Sequence, residues 1–239
     1  MEVHHHPHSE GKRLKHYLFE FFMLFLAVFC GFIAENIREH ITENKQGKAY
    51  IKSLIEDLER DTTQYTSLIQ QLTIEDSITD NITNCYDTVT HNFRSTSCLT
   101  AIIPNLLGFT DFIYTDKTMQ ELKNAGGLRL IKDKSVKDSI TNYDALVRSE
   151  LIHQEGLEVY QQKTIDATNS MVNFATLNRL YSTKKTNSYN IELLQTKRQA
   201  VDNYFNVMLV FKRNLSGQKV ILGELKTEAT RLIKYLNGK

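Results

Sequence analysis

Four histidines close to the N-terminus form the group of side chains best suited to chemistry. His4, His5, His6 and His8 surround Pro7, and proline keeps so short a tract extended. Neutral imidazoles held this close bind divalent transition metals such as Ni(II), Cu(II) or Zn(II) without a folded site. Three interpretations stay open: a partly protonated tail near anionic lipids, a physiological metal site, and a docking motif for a partner. Because the tract is short and interrupted, we interpret it as native and not as a cloning tag.

The cysteines offer a second kind of chemistry. Cys85 and Cys98 bracket a predicted turn, and in an oxidising compartment a bridge between them would stabilise the fold by about 3 kcal/mol in the chain-entropy model. Two unpaired thiols remain the alternative, because the sequence sets no distance between them. Cys30 lies in an apolar segment, where we expect a small packing residue.

No other pattern in the sequence has the spacing of a catalytic or cofactor site. The chain lacks a phosphate-binding glycine loop, a Cys-x-x-Cys pair, a nucleophile elbow and a His-Glu-x-x-His motif. His40, His91 and His153 are scattered over predicted surfaces. Glycines beside Arg129 could present backbone amides to an anion, but a helix stop is the preferred interpretation. We therefore expect no enzyme activity and no resident cofactor.

Composition indicates an all-α protein that does not bind nucleic acid. The 239 residues are 41% hydrophobic and 24% charged, enough to bury a core. Only 2 prolines and 10 glycines interrupt the chain, which favours long helices. The formal net charge of +1 provides no basic field for a nucleic acid.

The segment 17–35 is predicted to be a transmembrane helix, so the lipid bilayer is an expected partner. Between Tyr17 and Ala34 the only charged residue is Glu20, and this length of helix spans about 27 Å. The high phenylalanine content and the absence of a polar stripe argue against a buried core helix. Phenylalanine also occupies the third-last position of both candidate signal-peptidase sites, so the helix is predicted to remain uncleaved.

The charges around this helix predict its orientation. Three basic residues precede it, whereas the charges at its other edge begin with Glu35. Lys45 and Lys48 further on weaken this contrast, but charges in a large translocated domain count for less. We therefore expect residues 1–16 to be a cytoplasmic histidine-rich basic tail. Residues 36–239 would form a periplasmic domain attached to a bacterial inner membrane.

Two blocks of sequence resemble a known group of proteins. The first combines "MEVHHHPH", "FLAVFCGFIAENIREHI" and "YIKSLIEDLERDT", and the second is "TMQELKNAGGLRLIKDKSVKDSITNYDAL". They are similar to a family of uncharacterised single-pass membrane proteins of Bacteroidota. The resemblance implies a single-pass topology and a native histidine tract, and it brings no activity or cofactor.

Apolar periodicity predicts an elongated antiparallel helical bundle after the span. One long helix covers 51–89 and can be continuous with the span, with Gly47 as its weak point. A connecting region with one short helix follows at 91–115. The tetrapeptide 118–121 has capping-box spacing, and Gly126 with Gly127 predicts a left-handed stop.

Two further long helices complete this prediction. Asp133 is a candidate N-cap for the first of them. Residues 182–190 indicate a solvated turn, after which the last helix begins near Leu193 and is predicted to kink or break at Gly217.

The expected function is helix–helix assembly in the cell envelope. Ala27, Gly31 and Ala34 give one face of the span small side chains, which allow membrane helices to approach closely. This face predicts an interface with a second copy, giving a homo-oligomer, or with a larger membrane protein complex. The alternative is an accessory sensor or metal-binding protein that uses the histidine tract.

Overall fold

The computed structural model describes residues 10–95, 98, 111–176 and 193–238. Within them the all-α prediction is confirmed apart from a two-residue β-hairpin. The elements are α1 (Glu10–Thr83), β1 (Tyr86–Asp87), β2 (Asn92–Phe93), α2 (Lys117–Asn124), a 3₁₀ turn (Gly127–Leu130), α3 (Lys134–Met171) and α4 (Arg198–Asn237).

The three long helices form a bundle whose last member runs against the other two. Ion pairs join Lys219 of α4 to Asp76 and Lys212 to Asp80 of α1, so residue numbers rise in opposite directions along this pair. Here the end of the bundle near Gly47 is called the base, and the end near Cys85 is called the tip.

Helices α1 and α3 run parallel, which corrects the expectation that α1 is the first arm of an antiparallel bundle. The hydroxyl groups of Tyr65 and Tyr143 lie 2.8 Å apart part-way up the bundle. Ile82 and Met171 then meet in one apolar cluster at the tip. Both helices therefore rise from base to tip.

Two groups of buried apolar side chains form the core. The larger group fills the bundle from the base upwards and includes Leu54, Leu58, Leu72, Ile140, Val147, Leu215, Leu222 and Leu232. The smaller group closes the tip and includes Ile82, Met171, Val201, Phe205 and Met208. Their spacing of three or four residues is the predicted helical periodicity, so burial of one stripe per helix stabilises the bundle.

Gly47 does not weaken α1, which continues through it without interruption. A Cβ atom at this position would lie 2.6 Å from the carbonyl oxygen of Leu130. The missing side chain therefore lets the 3₁₀ turn pack directly on α1 at the base of the bundle.

The start of α2 differs from the capping-box prediction. Thr118 lies inside α2, whose N-cap is Asp116, and the backbone N–H of Thr118 donates to Asp57 of α1 at 3.2 Å. The predicted stop is confirmed at Gly126, which has a φ of 70°, a conformation that glycine adopts without strain.

The N-cap prediction for α3 is confirmed. The carboxylate of Asp133 accepts the backbone N–H groups of Ser135 at 2.9 Å and Val136 at 3.4 Å. These bonds satisfy two donors that the first helical turn leaves without an intrahelical partner.

Helix α4 is one continuous element, and the predicted break at Gly217 is wrong. It begins at Arg198, later than expected, because Leu193 forms an isolated antiparallel bridge with Val172. The predicted turn at 182–190 and most of the predicted connecting region (96, 97 and 99–110) lie outside the described residues.

Candidate functional site

The first half of α1 is an exposed apolar helix. Side chains from 14 to 42 are all exposed. This helix is the one candidate span in the described part of the chain, by length and composition alone. Because none of its apolar window is buried, it does not pack in the core of its own chain as a soluble core helix would.

The three predicted interface residues lie on the side of α1 that faces away from the bundle. Leu54 is a core residue that follows Ala27 by 27 residues, about 7.5 helical turns, so the two side chains leave the helix on opposite sides. A Cβ atom at Gly31 would meet nothing within 4 Å. We call Ala27, Gly31 and Ala34 the small face, and all three residues are exposed in the described structure.

An exposed stretch of α1 separates the apolar segment from the bundle. Gly47 is the first buried residue of α1 and follows Ala34 by 13 residues, a rise of about 20 Å. In this stretch the guanidinium group of Arg38 donates to Glu35 at 2.8 Å, while Ile37 and Ile41 remain exposed. Within the described part of the chain, residues 35–42 of this stretch form a single exposed helix.

The predicted metal site at His4, His5, His6 and His8 lies outside the described residues. Among the residues that are described, no group of three or more histidine, cysteine, aspartate or glutamate side chains could hold a metal ion. The metal site therefore stays a prediction from the sequence.

A disulfide joins Cys85 to Cys98, with 5.7 Å between the Cα atoms. It closes the segment that carries the β-hairpin, and the backbone N–H of Arg94 also donates to the carbonyl oxygen of Cys85 at 2.9 Å. The third cysteine, Cys30, is a free and exposed thiol on α1. The crosslink fixes the return of the chain at the tip of the bundle.

The tip also contains a cluster of polar side chains that the sequence analysis missed. The hydroxyl of Tyr86 donates to Asp202 at 2.6 Å, and Nδ1 of His91 lies 3.1 Å from the same carboxylate oxygen. The guanidinium group of Arg198 lies 2.8 Å from Nε2 of His91. His91 and Asp202 are 111 residues apart, so no local motif could have paired them.

The electrostatics of this cluster favour a structural role. The hydroxyl of Tyr86 lowers the pKa of Asp202, with smaller contributions from His91 and Arg198. Both ring nitrogens of His91 have a partner, so neither is free for a substrate. The cluster ties the hairpin to the first turn of α4.

Two buried carboxylates near the base bind the chain that enters α2. Asp61 accepts the backbone N–H of Thr115 at 2.7 Å, one turn above the contact between Asp57 and Thr118. Burial raises the pKa of Asp61 to about 6, and the hydrogen bonds from Thr115 oppose this shift. These carboxylates cap backbone donors across the bundle and are not arranged as a catalytic pair.

Glu150 is the most deeply buried acid described, with no exposed surface. Its Oε1 atom accepts from the side-chain amide of Gln218 in α4, which also donates to Gln154 at 3.2 Å. Its Oε2 atom has no hydrogen-bond partner. Burial raises the pKa of Glu150 to about 8, so the side chain is mostly protonated at neutral pH.

Comparison with known proteins supplies no assignment. No protein-family model, curated protein or solved structure matches the chain. The features that bear on function are therefore the exposed helix, its small face and the bundle that follows it.

Proposed function

We propose that the protein is a membrane-anchored interaction protein of the bacterial cell envelope, and not an enzyme. In this proposal the helix within 17–35 crosses the inner membrane, residues 1–16 lie in the cytoplasm, and the bundle within 36–239 lies in the periplasm. One observation carries it: α1 is exposed and apolar in its first part and contributes the core of the bundle in its second part.

Helix α1 connects the membrane anchor to the bundle without a break. A helix without a hinge transmits the position and rotation of the membrane segment to the bundle about 20 Å beyond it. The small face is also opposite the bundle, so a neighbouring helix can approach it without meeting α3 or α4. Lateral association through this face, with a second copy or with a membrane complex, is the proposed activity.

Two further features support the orientation. Lys12, Arg13 and Lys15 lie in the short segment just before the apolar helix, whereas Lys45 and Lys48 after it belong to a long domain, whose charges count for less under the positive-inside rule. The disulfide between Cys85 and Cys98 is of a kind that persists in the periplasm and is rare in the cytosol.

Replacing Gly31 by leucine is expected to abolish the oligomers or partner complexes detected by crosslinking in native membranes. The leucine side chain would hold the neighbouring helix away from the small face, and close approach is what stabilises such contacts. Val28→Phe is the matched control, because it adds bulk to a different, phenylalanine-rich face. Unchanged crosslinked bands in Gly31→Leu, or equal losses in both variants, would contradict the role of the small face.

A further inference from the structure

The small face of α1 continues into a basic strip on the same side of the helix. Lys45 follows Ala27 by 18 residues and Lys52 follows Ala34 by 18 residues, which is about five full turns in each case. Lys48 lies between them and is also exposed. We call Lys45, Lys48 and Lys52 the basic strip.

The charges of the basic strip are largely unused within the chain. No ion pair joins Lys45 or Lys48 to another described residue, and Lys52 has only a 4.0 Å contact with the exposed Glu56. The strip faces away from the bundle, as the small face does. A partner could therefore contact both surfaces without rearrangement of this chain.

The distance of the basic strip from the membrane favours a protein over lipid headgroups as its binding partner. Lys45 lies 11 residues and Lys52 lies 18 residues beyond Ala34, or about 16 and 27 Å along the helix. The polar layer on each side of a bilayer is about 5–8 Å thick. Both lysines therefore extend beyond the headgroups when the apolar segment spans the membrane.

A second copy of this chain is an unfavourable binding partner for the same surface. Two copies that meet on the small face would bring Lys45 beside Lys45, with Lys48 close by, and such like-charge contacts are unfavourable. The acidic side chains on this side of α1, Glu56 and Glu59, can relieve only Lys52, because they lie 11 and 14 residues beyond Lys45, about 16 and 21 Å along the helix.

We infer that the small face and the basic strip together bind a helix of a different membrane protein, one with acidic side chains in its first turns outside the membrane. This inference rests on the proposed membrane anchoring and deepens it by stating the chemistry of the partner. Close packing would hold the two helices together in the bilayer. Charge pairing above it would select the acidic partner against a second copy.

The test places a photo-crosslinking amino acid at Lys45 or at Lys52 of the full chain in native membranes. Each probe is expected to join the chain to another protein, at a peptide that is acidic and adjoins an apolar segment. The adduct at Lys45 should be lost when Lys48→Glu and Lys52→Glu are added, and when Gly31→Leu is added. A probe at the exposed Glu39 should give no such adduct.

Controls separate a lost interaction from a damaged protein. Lys117→Glu with Lys163→Glu reverses two exposed charges elsewhere and should leave the adduct intact. Circular dichroism of every variant should show unchanged helix content, because all these lysines are exposed.

Four outcomes would overturn the inference in a chain that stays in the membrane after alkaline extraction. They are adducts with a second copy, adducts with lipid alone, adducts that survive charge reversal of the strip, and no adduct at all. Release of the chain by alkaline extraction would instead overturn the membrane anchoring itself, and the inference with it.

Discussion

Replacing Gly47 by alanine is expected to lower the free energy of unfolding of the bundle by about 1–3 kcal/mol, the usual cost of overpacking. The new Cβ atom would lie 2.6 Å from the carbonyl oxygen and 3.2 Å from the carbonyl carbon of Leu130. Both are backbone atoms, so the 3₁₀ turn must move away from α1. The change would loosen the base of the bundle, where the exposed stretch of α1 joins it.

Gly217→Ala is the matched control, since Gly217 also lies within a long helix but its Cβ atom would meet nothing within 4 Å. There the alanine should stabilise the helix by about 0.5–1 kcal/mol, because glycine is the weaker helix former. Denaturant unfolding of the full chain in detergent, followed by circular dichroism, measures both. Shifts of the same sign at the two glycines would contradict the packing at Gly47.

Replacing Glu150 by glutamine is expected to stabilise the protein increasingly as the pH rises from about 4.5 to about 8. The folded state keeps the Glu150 proton up to its pKa of about 8, whereas the unfolded chain loses it near 4.5. Unfolding therefore releases a proton in this window, so the free energy of unfolding falls by up to about 1.4 kcal/mol per pH unit. Glutamine preserves an oxygen acceptor for Gln218 and removes this titration.

The measurement is the free energy of unfolding at several pH values between 6.5 and 8. This range lies above the pKa of about 6 of Asp61, whose titration would contribute a slope of the same sign at lower pH. Glu155→Gln is the control, because Glu155 is exposed and lies five residues after Glu150 on α3. This variant should keep the parent's slope of unfolding free energy against pH. If the free energy of unfolding changes equally with pH in the parent and in Glu150→Gln, Glu150 is not held protonated in the folded state.

Local signals in the sequence were sufficient for several elements. Asp133 caps α3 because the bonds run to amides two and three residues further on, and Gly126 stops α2 through its own backbone conformation. The apolar stripe of α1 likewise depends on helical spacing within one segment. In each case the residues responsible lie within a few helical turns of the structure they determine.

Two of the failed predictions, at Thr118 and at Gly47, involve partners that are distant in sequence. Thr118 has capping-box spacing, but its backbone N–H is bound by Asp57, 61 residues earlier. Gly47 and Gly217 look alike in the sequence, and only the approach of the 3₁₀ turn makes the first one indispensable. The pairing of His91 with Asp202 depends on the packing of the hairpin against the start of α4 at the tip.

The candidate interface was partly visible from the sequence. The small face follows from the spacing of Ala27, Gly31 and Ala34 alone, whereas its position opposite the bundle required the burial pattern of α1. The alignment of Lys52 with this face depends on the absence of any break in the helix between them, which the sequence left open at Gly47.

Cysteine labelling with a membrane-impermeant maleimide determines whether the protein has a single span with the bundle outside the cytoplasm. In a Cys30→Ser background, Ser77→Cys places one free thiol on the exposed surface of α1 in the bundle, and Ser9→Cys places one in the N-terminal tail. We expect Ser77→Cys to be labelled in cells with a permeable outer membrane and an intact inner membrane, and Ser9→Cys to be labelled only after lysis. Labelling of Ser9→Cys in intact cells with protection of Ser77→Cys, or equal labelling of both, would contradict this topology.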